Sequence, residues 1–393
     1  MQNSNWRKAA KVAGVVVLIF CVITTATVGG FVLTNLDHVG RFLRVWQLIQ
    51  SDYLVNTGNS TLIDGATRGL VDSLQDPYST YLDASENQAL MEQVTGQFGG
   101  VGIVLSLQDP KKLMVLRTIK NSPAAKAGIM AEDVITKIDN VDTSTIDLDK
   151  AAALIKGAPG SKVTLVVYRE SQKKNLTFTL TREEITAPTV DGEALPGYPQ
   201  LAYIDISQFS DGTADELAAT LKNMDIKKYK GIILDLRNNP GGELNAAVGV
   251  AGYFIPPGPV VYIVDKHGTT DTKMAANNYL GLPLVVLVNQ YSASAAEIVS
   301  GAIKDKGTGT LVGVKTFGKG VVQTIFPLDS GTSVKLTTAK YLTPNKIDIN
   351  KKGIEPDVQV ELPKGQDMTI TPTNGQFDAQ LQEAVKVLQA KIK

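Results

Sequence analysis

The 24 residues from Val12 to Asn35 carry no charged side chain and consist mostly of Val, Ile, Leu, Phe, Ala and small residues. Inside hydrocarbon no water is available to unpaired backbone groups, so a stretch of this kind can cross only as a helix. At ~1.5 Å per residue it reaches roughly 36 Å, enough for a bilayer. Arg7, Lys8 and Lys11 precede it, which places the N-terminus in the cytoplasm and everything after residue 36 outside, as a single-pass protein of the cell membrane. The alternative is a cleaved leader with Thr24-Thr25-Ala26 as a faint small-residue site. The stretch is long for a leader and lacks an A-x-A, so a retained anchor is favoured. Cys21, the only cysteine, falls inside it and leaves the exported part without a thiol, as suits an oxidising compartment.

Composition narrows what the rest can do. A length of 393 residues suggests two or three domains. Hydrophobic residues at 43% and charged residues at 20% supply a sizeable core and exclude wholesale disorder. Lys+Arg and Asp+Glu balance at 39 each, so nucleic acid is not the expected partner. His38 and His267 are the only histidines. With one cysteine and two histidines, CxxC and poly-histidine metal sites are excluded, and a hydrolase here is expected to work without histidine.

Periodicity divides the remainder. Residues 37–96 read as a polar-amphipathic helical arm, with Val39, Phe42, Leu43, Trp46 and Ile49 at helical spacing and a break at Asp76-Pro77-Tyr78. From about 97 the period falls to two. Strands at 101–107, 113–119, 162–168 and 176–181, a short pair within 133–142, and helices at 122–127 and 147–156 make a unit over 97–182. Over 183–365 strands (201–206, 230–236, 260–264, 283–288, 310–316, 321–326, 333–341) alternate with helices (212–224, 295–304). The strands at 260–264 and 283–288 look buried on both faces. A C-terminal segment, 366–393, holds a helix at 377–392. The expected class is α/β: an anchor at 1–36, the helical arm, a small strand-rich domain and a mixed α/β core closed by a helix.

Four stretches can carry chemistry. In Asn289-Gln290-Tyr291-Ser292-Ala293-Ser294-Ala295-Ala296-Glu297 a buried strand meets a helix. A serine at that corner sits at the positive end of the helix dipole, beside N–H groups able to hold an oxyanion. Ser294-x-x-Glu297 is equally a capping box. In Thr316-Phe317-Gly318-Lys319-Gly320-Val321-Val322-Gln323 a lysine flanked by glycines leads into an apolar strand. Burial would lower its pKa and make it a base, while a solvated loop lysine is the plainer reading. Gln323, four residues on, would share the lysine's face of a strand and could hold the amine. Leu234-Asp235-Leu236-Arg237-Asn238-Asn239-Pro240-Gly241-Gly242 runs from a buried strand into a glycine turn and then a helix, where exposed backbone amides could complete an oxyanion hole. Phe98-Gly99-Gly100-Val101-Gly102-Ile103 puts glycines ahead of a strand, where free amides could receive a peptide's terminal carboxylate.

Together with Ser122-Pro123-Ala124, Asp133-Val134-Ile135 and Gly353-Ile354-Glu355-Pro356-Asp357, these stretches resemble the carboxyl-terminal processing proteases, tail-specific serine endopeptidases of peptidase family S41. The resemblance covers nearly the whole chain after the anchor. It implies a PDZ domain over 97–182 and a protease core over 183–365. It further implies Ser294 as nucleophile, Lys319 as general base and Gln323 as the residue that orients the lysine. Asp305, eleven residues after the serine, stands where some relatives carry a supporting aspartate. Ala296 departs from the small polar residue common at its position, without changing a hydrogen-bonding role. The expected mechanism is an acyl-enzyme whose oxyanion is held by the backbone amides of Gly241 and Ala295, with no metal or cofactor. Expected partners are proteins or peptides with apolar C-terminal tails, docked at Gly100, Val101, Gly102 and Ile103 beside the 147–156 helix, together with the membrane and a second copy of the chain. A non-catalytic PDZ adaptor is the rival from another class. A triad through His267 is the rival within enzymes, although Lys266-His267-Gly268 reads as a surface turn.

Overall fold

A computed structural model describes residues 30, 34–109, 112–363 and 377–392. The apolar stretch at 12–35 lies outside them save for Gly30, Thr34 and Asn35. Among the described residues no helix is long and apolar enough to cross a membrane. The chain separates into two units, 1–75 and 76–393.

In the first unit, helices α1 (Leu36–Asp52) and α2 (Asn59–Asp72) carry the expected arm. α1 buries none of its residues. Phe42, Leu43 and Trp46 of α1 and Ile63 and Ala66 of α2 instead line a shallow apolar groove of about 340 Å³.

The second unit opens with a departure from the expected all-helical arm. Strand β1 (Thr80–Leu82) follows the Asp76-Pro77-Tyr78 turn, and helix α3 (Ala84–Thr95) follows β1. Asp83 starts α3 by accepting the Ser85 and Glu86 N–H groups, while Glu86 accepts the Asp83 N–H in return.

The strand-rich domain comes next. Strand β2 (Gln97–Gly100) precedes β3 (Ile103–Asp109), β4 (Lys112–Thr118), helix α4 (Pro123–Ala127), β5 (Val134–Ile138), β6 (Val141–Asp142), helix α5 (Leu148–Ile155), β7 (Lys162–Arg169) and β8 (Lys174–Thr181). The sheet order is β3-β4-β5-β7-β8. Alternate residues of β7, namely Val163, Leu165 and Val167, are fully buried against Val115, Ile135, Ile138, Ala151 and Ile155, as a half-buried strand dictates. Arg169 and Asp133 form a buried pair at 2.6 Å. β3 is an edge strand paired only with β4, and α5 packs beside it.

The remainder is built on a six-stranded sheet. Its strands are β10 (Val190–Leu195), β11 (Tyr198–Ile206), β12 (Gly231–Asp235), β15 (Leu284–Val288), β16 (Thr310–Gly313) and β19 (Val358–Gln359), in that spatial order. From β11 onward all pairs are parallel. Helices α6 (Thr213–Asn223), α7 (Leu244–Phe254) and α8 (Ala295–Lys306) cover one face, and α9 (Ala379–Lys391) covers the other. β12 shows why: Ile232 and Leu234 pack with α6–α8, and Ile233 packs with Leu381, Ala384, Val385 and Leu388 of α9. Short β9 (Glu183–Thr186) pairs with β2.

A second, antiparallel sheet contains β13 (Pro259–Asp265), β14 (Thr270–Met274), β17 (Val321–Pro327) and β18 (Ser333–Leu342), with β1 added to β18. The expectation that 260–264 is covered on both faces is therefore corrected. β15 is buried throughout, whereas in β13 only Val260 and Val261 are, because the face of this sheet borders a cavity.

Candidate active site

β12, β15 and β16 are parallel neighbours, so their carboxyl ends lie on one side, where open α/β sheets place their sites. The loop after β12 carries Gly241, the loop after β15 carries Ser294, and the loop after β16 carries Lys319. Side chains cross-link the first two loops. The Asn238 N–H donates to Asn289 Oδ1 at 2.9 Å, and Asn289 Nδ2 returns to Asn238 Oδ1 at 2.7 Å. Ser292, fully buried, donates to the Leu236 carbonyl at 2.7 Å. Gly241 sits so close that an added Cβ would meet the Ala293 carbonyl and Ser294 Cβ at 2.7 Å and the Ala295 nitrogen at 2.9 Å.

Ser294 is the residue before α8 and adopts φ 54°, ψ −113°. A non-glycine residue there stores about 1–3 kcal/mol of strain and persists only where its surroundings hold it. Glu297 is the largest part of that hold. Its side chain has no solvent exposure and accepts four hydrogen bonds. Oε2 receives the Ser294 N–H and the Lys319 N–H, both at 2.9 Å. Oε1 receives Thr316 Oγ1 at 2.6 Å and the Gly318 N–H at 2.8 Å. One carboxylate thus fixes the backbone of Ser294 and of Lys319 together. The sequence reading treats Glu297 only as a helix cap. The longer reach to 316–319 has no local signal, because those residues are neighbours only in space.

Ser294, Ala295, Ile298, Gly241, Lys319 and Gln323 line one cavity of about 570 Å³, with further walls from α3, the 208–209 turn and β13, β14, β17 and β18. Burial holds the Lys319 amine below the ordinary lysine range, and the Lys335 charge pushes it the same way, while Asp76 and Glu297 pull against them. The Lys319 Nζ stands 4.9 Å from the centroid of the Tyr78 ring. Asp76, Tyr78 and Lys335 therefore belong to the site although more than 200 positions separate the first two from Lys319, and only the fold reveals them.

The other expected site residues divide. The Gly241 N–H, expected to be available, donates to Asn239 Oδ1 at 2.8 Å. The Ala295 N–H is the first of α8 and has no partner within the helix. Gln323 lines the cavity, but its amide donates to the Val321 carbonyl at 3.4 Å and to Thr337 Oγ1 at 3.5 Å, not to Lys319. The shared-face argument fails because Lys319 precedes β17 and a bulge falls between Val322 and Gln323. Asp305 lies apart from the cavity and accepts the Asn345 N–H at 2.7 Å. Its work is to hold a turn. His267 sits in the exposed β13–β14 turn, where Asp265 Oδ1 accepts its backbone N–H. At the other candidate site, Val101 is buried in the strand-rich core, Gly102 takes φ 74° and Ile103 opens β3. The Val101 and Gly102 carbonyls bond to the Ala124 and Ile119 N–H groups. Among the described residues no cluster of His, Cys, Asp and Glu could hold a metal ion.

Comparison with known proteins places this geometry. The model of peptidase family S41 matches residues 200–360, that of the PDZ domain matches 114–169, and that of the activating protease CtpB N-terminal domain matches 28–86. The carboxy-terminal processing protease CtpA of Bacillus subtilis is 36% identical over 364 residues, 88% of this chain and 77% of that one. The carboxyl-terminal-processing protease of Synechocystis sp. is 37% identical over 343 residues, 86% of this chain and 80% of that one. A crystal structure of a putative S41 protease from Bacteroides fragilis, 17% identical, shares the fold at a TM-score of 0.52 over 86% of this chain and 92% of its own. By its identity to these relatives along most of its length, the chain belongs to the carboxyl-terminal processing proteases of peptidase family S41 and is a serine-type peptidase with a PDZ domain.

Proposed function

We propose that this chain is a membrane-anchored endopeptidase that takes hold of protein C-terminal tails and cleaves peptide bonds with a Ser294–Lys319 dyad. The observation that carries the reading is one cavity holding both side chains, with the lysine buried and its pKa held low. Neutral Lys319 swings from the Tyr78 ring to take the Ser294 proton. The serine oxygen attacks the peptide carbonyl, the amine leaves with a proton from Lys319, and water releases the acyl group. The Ala295 N–H holds the oxyanion at the start of α8, joined by Gly241 once its N–H leaves Asn239. Gln323 steadies the amine by exchanging its two long contacts.

The β3 edge beside α5 suits a tail that adds as a strand, with the half-buried Leu148 and Leu154 of α5 offering apolar contact. The anchor rests on the uncharged 12–35 stretch and on the basic residues before it. Pairing of two copies is proposed through the arm, whose Phe42 and Leu43 are half exposed or more.

The test is proteolysis of an unfolded model protein by the full chain in detergent, alongside Ser294→Ala and Lys319→Ala. Both variants should be inert, and chelators should leave the parent active. Cleavage by Lys319→Ala would sink the dyad. An inert parent that still binds tail peptides would make the chain an adaptor.

A further inference from the structure

The two residues of the proposed dyad are tied together at their amides by Glu297, and a second tie exists at their carbonyls. Tyr341, near the end of β18, is 1% exposed and is among the largest fully buried side chains of the described residues. Its hydroxyl reaches the Ser294 carbonyl at 3.1 Å and also bonds to the Lys319 carbonyl. A phenol has one proton, so the two acceptors share it as a three-centre bond. Burial first, then Glu297 and Tyr78, push the phenol well above its ordinary range, so it keeps that proton. Its backbone reinforces the contact, because the Tyr341 N–H donates to the Gly320 carbonyl at 3.1 Å.

The consequence is geometric. Ser294 lies on the loop after β15 and Lys319 on the loop after β16, two segments that do not continue one another. Glu297 joins their N–H groups, and Tyr341 joins their C=O groups from another sheet. With both peptide ends tied, neither residue can turn about its backbone independently, and the backbone positions from which the hydroxyl and the amine reach toward each other are fixed. The strained φ/ψ of Ser294 needs such a hold.

We propose that Tyr341 is a positioning residue of the reaction, its hydroxyl locking the Ser294 carbonyl to the Lys319 carbonyl and so setting the approach of base to nucleophile. The inference rests on the dyad reading above.

The experiment compares the full chain in detergent with Tyr341→Phe and with 4-aminophenylalanine incorporated at position 341, which keeps a donor at the same place. The readouts are kcat, KM, the rate of Ser294 labelling by a small fluorophosphonate, and thermal unfolding. Misplacing a base by about 1 Å can cost ~100-fold, so the Phe variant should lose about 10- to 100-fold in kcat and in labelling, with KM within about twofold. It should keep a cooperative unfolding transition, and the amino variant should recover most of the loss. A Phe variant with kcat within about twofold of the parent would overturn the proposal. So would loss of its unfolding transition, or failure of the amino variant to recover. Ser294→Ala and Lys319→Ala run in the same assay keep the two readings apart. An active Lys319→Ala variant overturns the dyad itself, whereas two inert dyad variants beside a fully active Tyr341→Phe variant overturn only the role of Tyr341.

Discussion

Lys319 is poised by opposing charges, and that balance predicts two substitutions of opposite sign. The proposed dyad uses the neutral amine, so it predicts that kcat/KM rises as pH passes upward through the Lys319 pKa. Lys335 lowers that pKa and Asp76 raises it. Replacing Lys335 by Met removes a like charge, so the pKa climbs and the acid limb of the profile moves to higher pH. Replacing Asp76 by Asn removes an attractive charge, and the limb moves to lower pH. Both shifts should shrink as salt is added only so far as solvent reaches the pair. A kcat/KM profile of the two variants beside the parent decides the matter, and displacement in the same direction would refute this account of the lysine. His267→Ala should leave the rate unchanged, since its backbone merely completes an exposed hairpin turn.

At the scale of elements, the site depends on two loops that approach within backbone contact. Gly241 has φ 97°, a region costly for other residues, and its missing Cβ makes room for Ala293, Ser294 and Ala295. Gly241→Ala should therefore push the loops apart. Losing an oxyanion donor costs ~100- to 1,000-fold in kcat, and a loss of that order is expected here, measured on the same unfolded substrate. Tail-peptide binding at the proposed β3 edge, read by fluorescence anisotropy, should be retained, because β3 belongs to a different sheet from β12 and β15. Most elements are legible in the chain: Gly128 ends α4 in the left-handed conformation as its position suggests, and the fully apolar run of β15 is buried as such runs are. The helix expected after the Gly241-Gly242 turn is α7, Leu244–Phe254. Its run of small and apolar residues has a weak face preference, and burial against α6, α8 and the sheet makes it a helix. Polar β14 is likewise a strand only because β13 pairs with it.

At the scale of the molecule, the C-terminal helix is bolted to the sheet end that carries the site. Arg237, just after β12, donates to Asp235 at 2.6 Å and to Asp378 at 2.9 Å, with the Arg237 and Asp378 side chains fully buried. Asp378 also caps α9 by accepting the Leu381 N–H. Asp378→Ala leaves part of a buried cation uncompensated and should lower the unfolding free energy by about 3–5 kcal/mol. Leu388→Ala, deep in the α9 packing, should cost about 2–5 kcal/mol. Urea titration of the full chain measures both, and losses below about 1 kcal/mol would mean that α9 is not part of the cooperative core.

The family, the mixed α/β class, the PDZ domain and the candidates Ser294 and Lys319 that line one cavity were readable along the chain because each depends on spacing that survives in one dimension: a period of two or 3.6, a glycine where φ must be positive, a serine at a helix start. The roles of Glu297, Tyr341, Tyr78, Asp76 and Lys335 were not, because each acts on a partner brought near by sheet order and loop closure. The same folding took Asp305 away to a turn and engaged the Gly241 amide with Asn239. Spacing records which groups can be local neighbours, but hydrogen bonds and burial act over a few ångströms in space, and only the folded chain sets those distances.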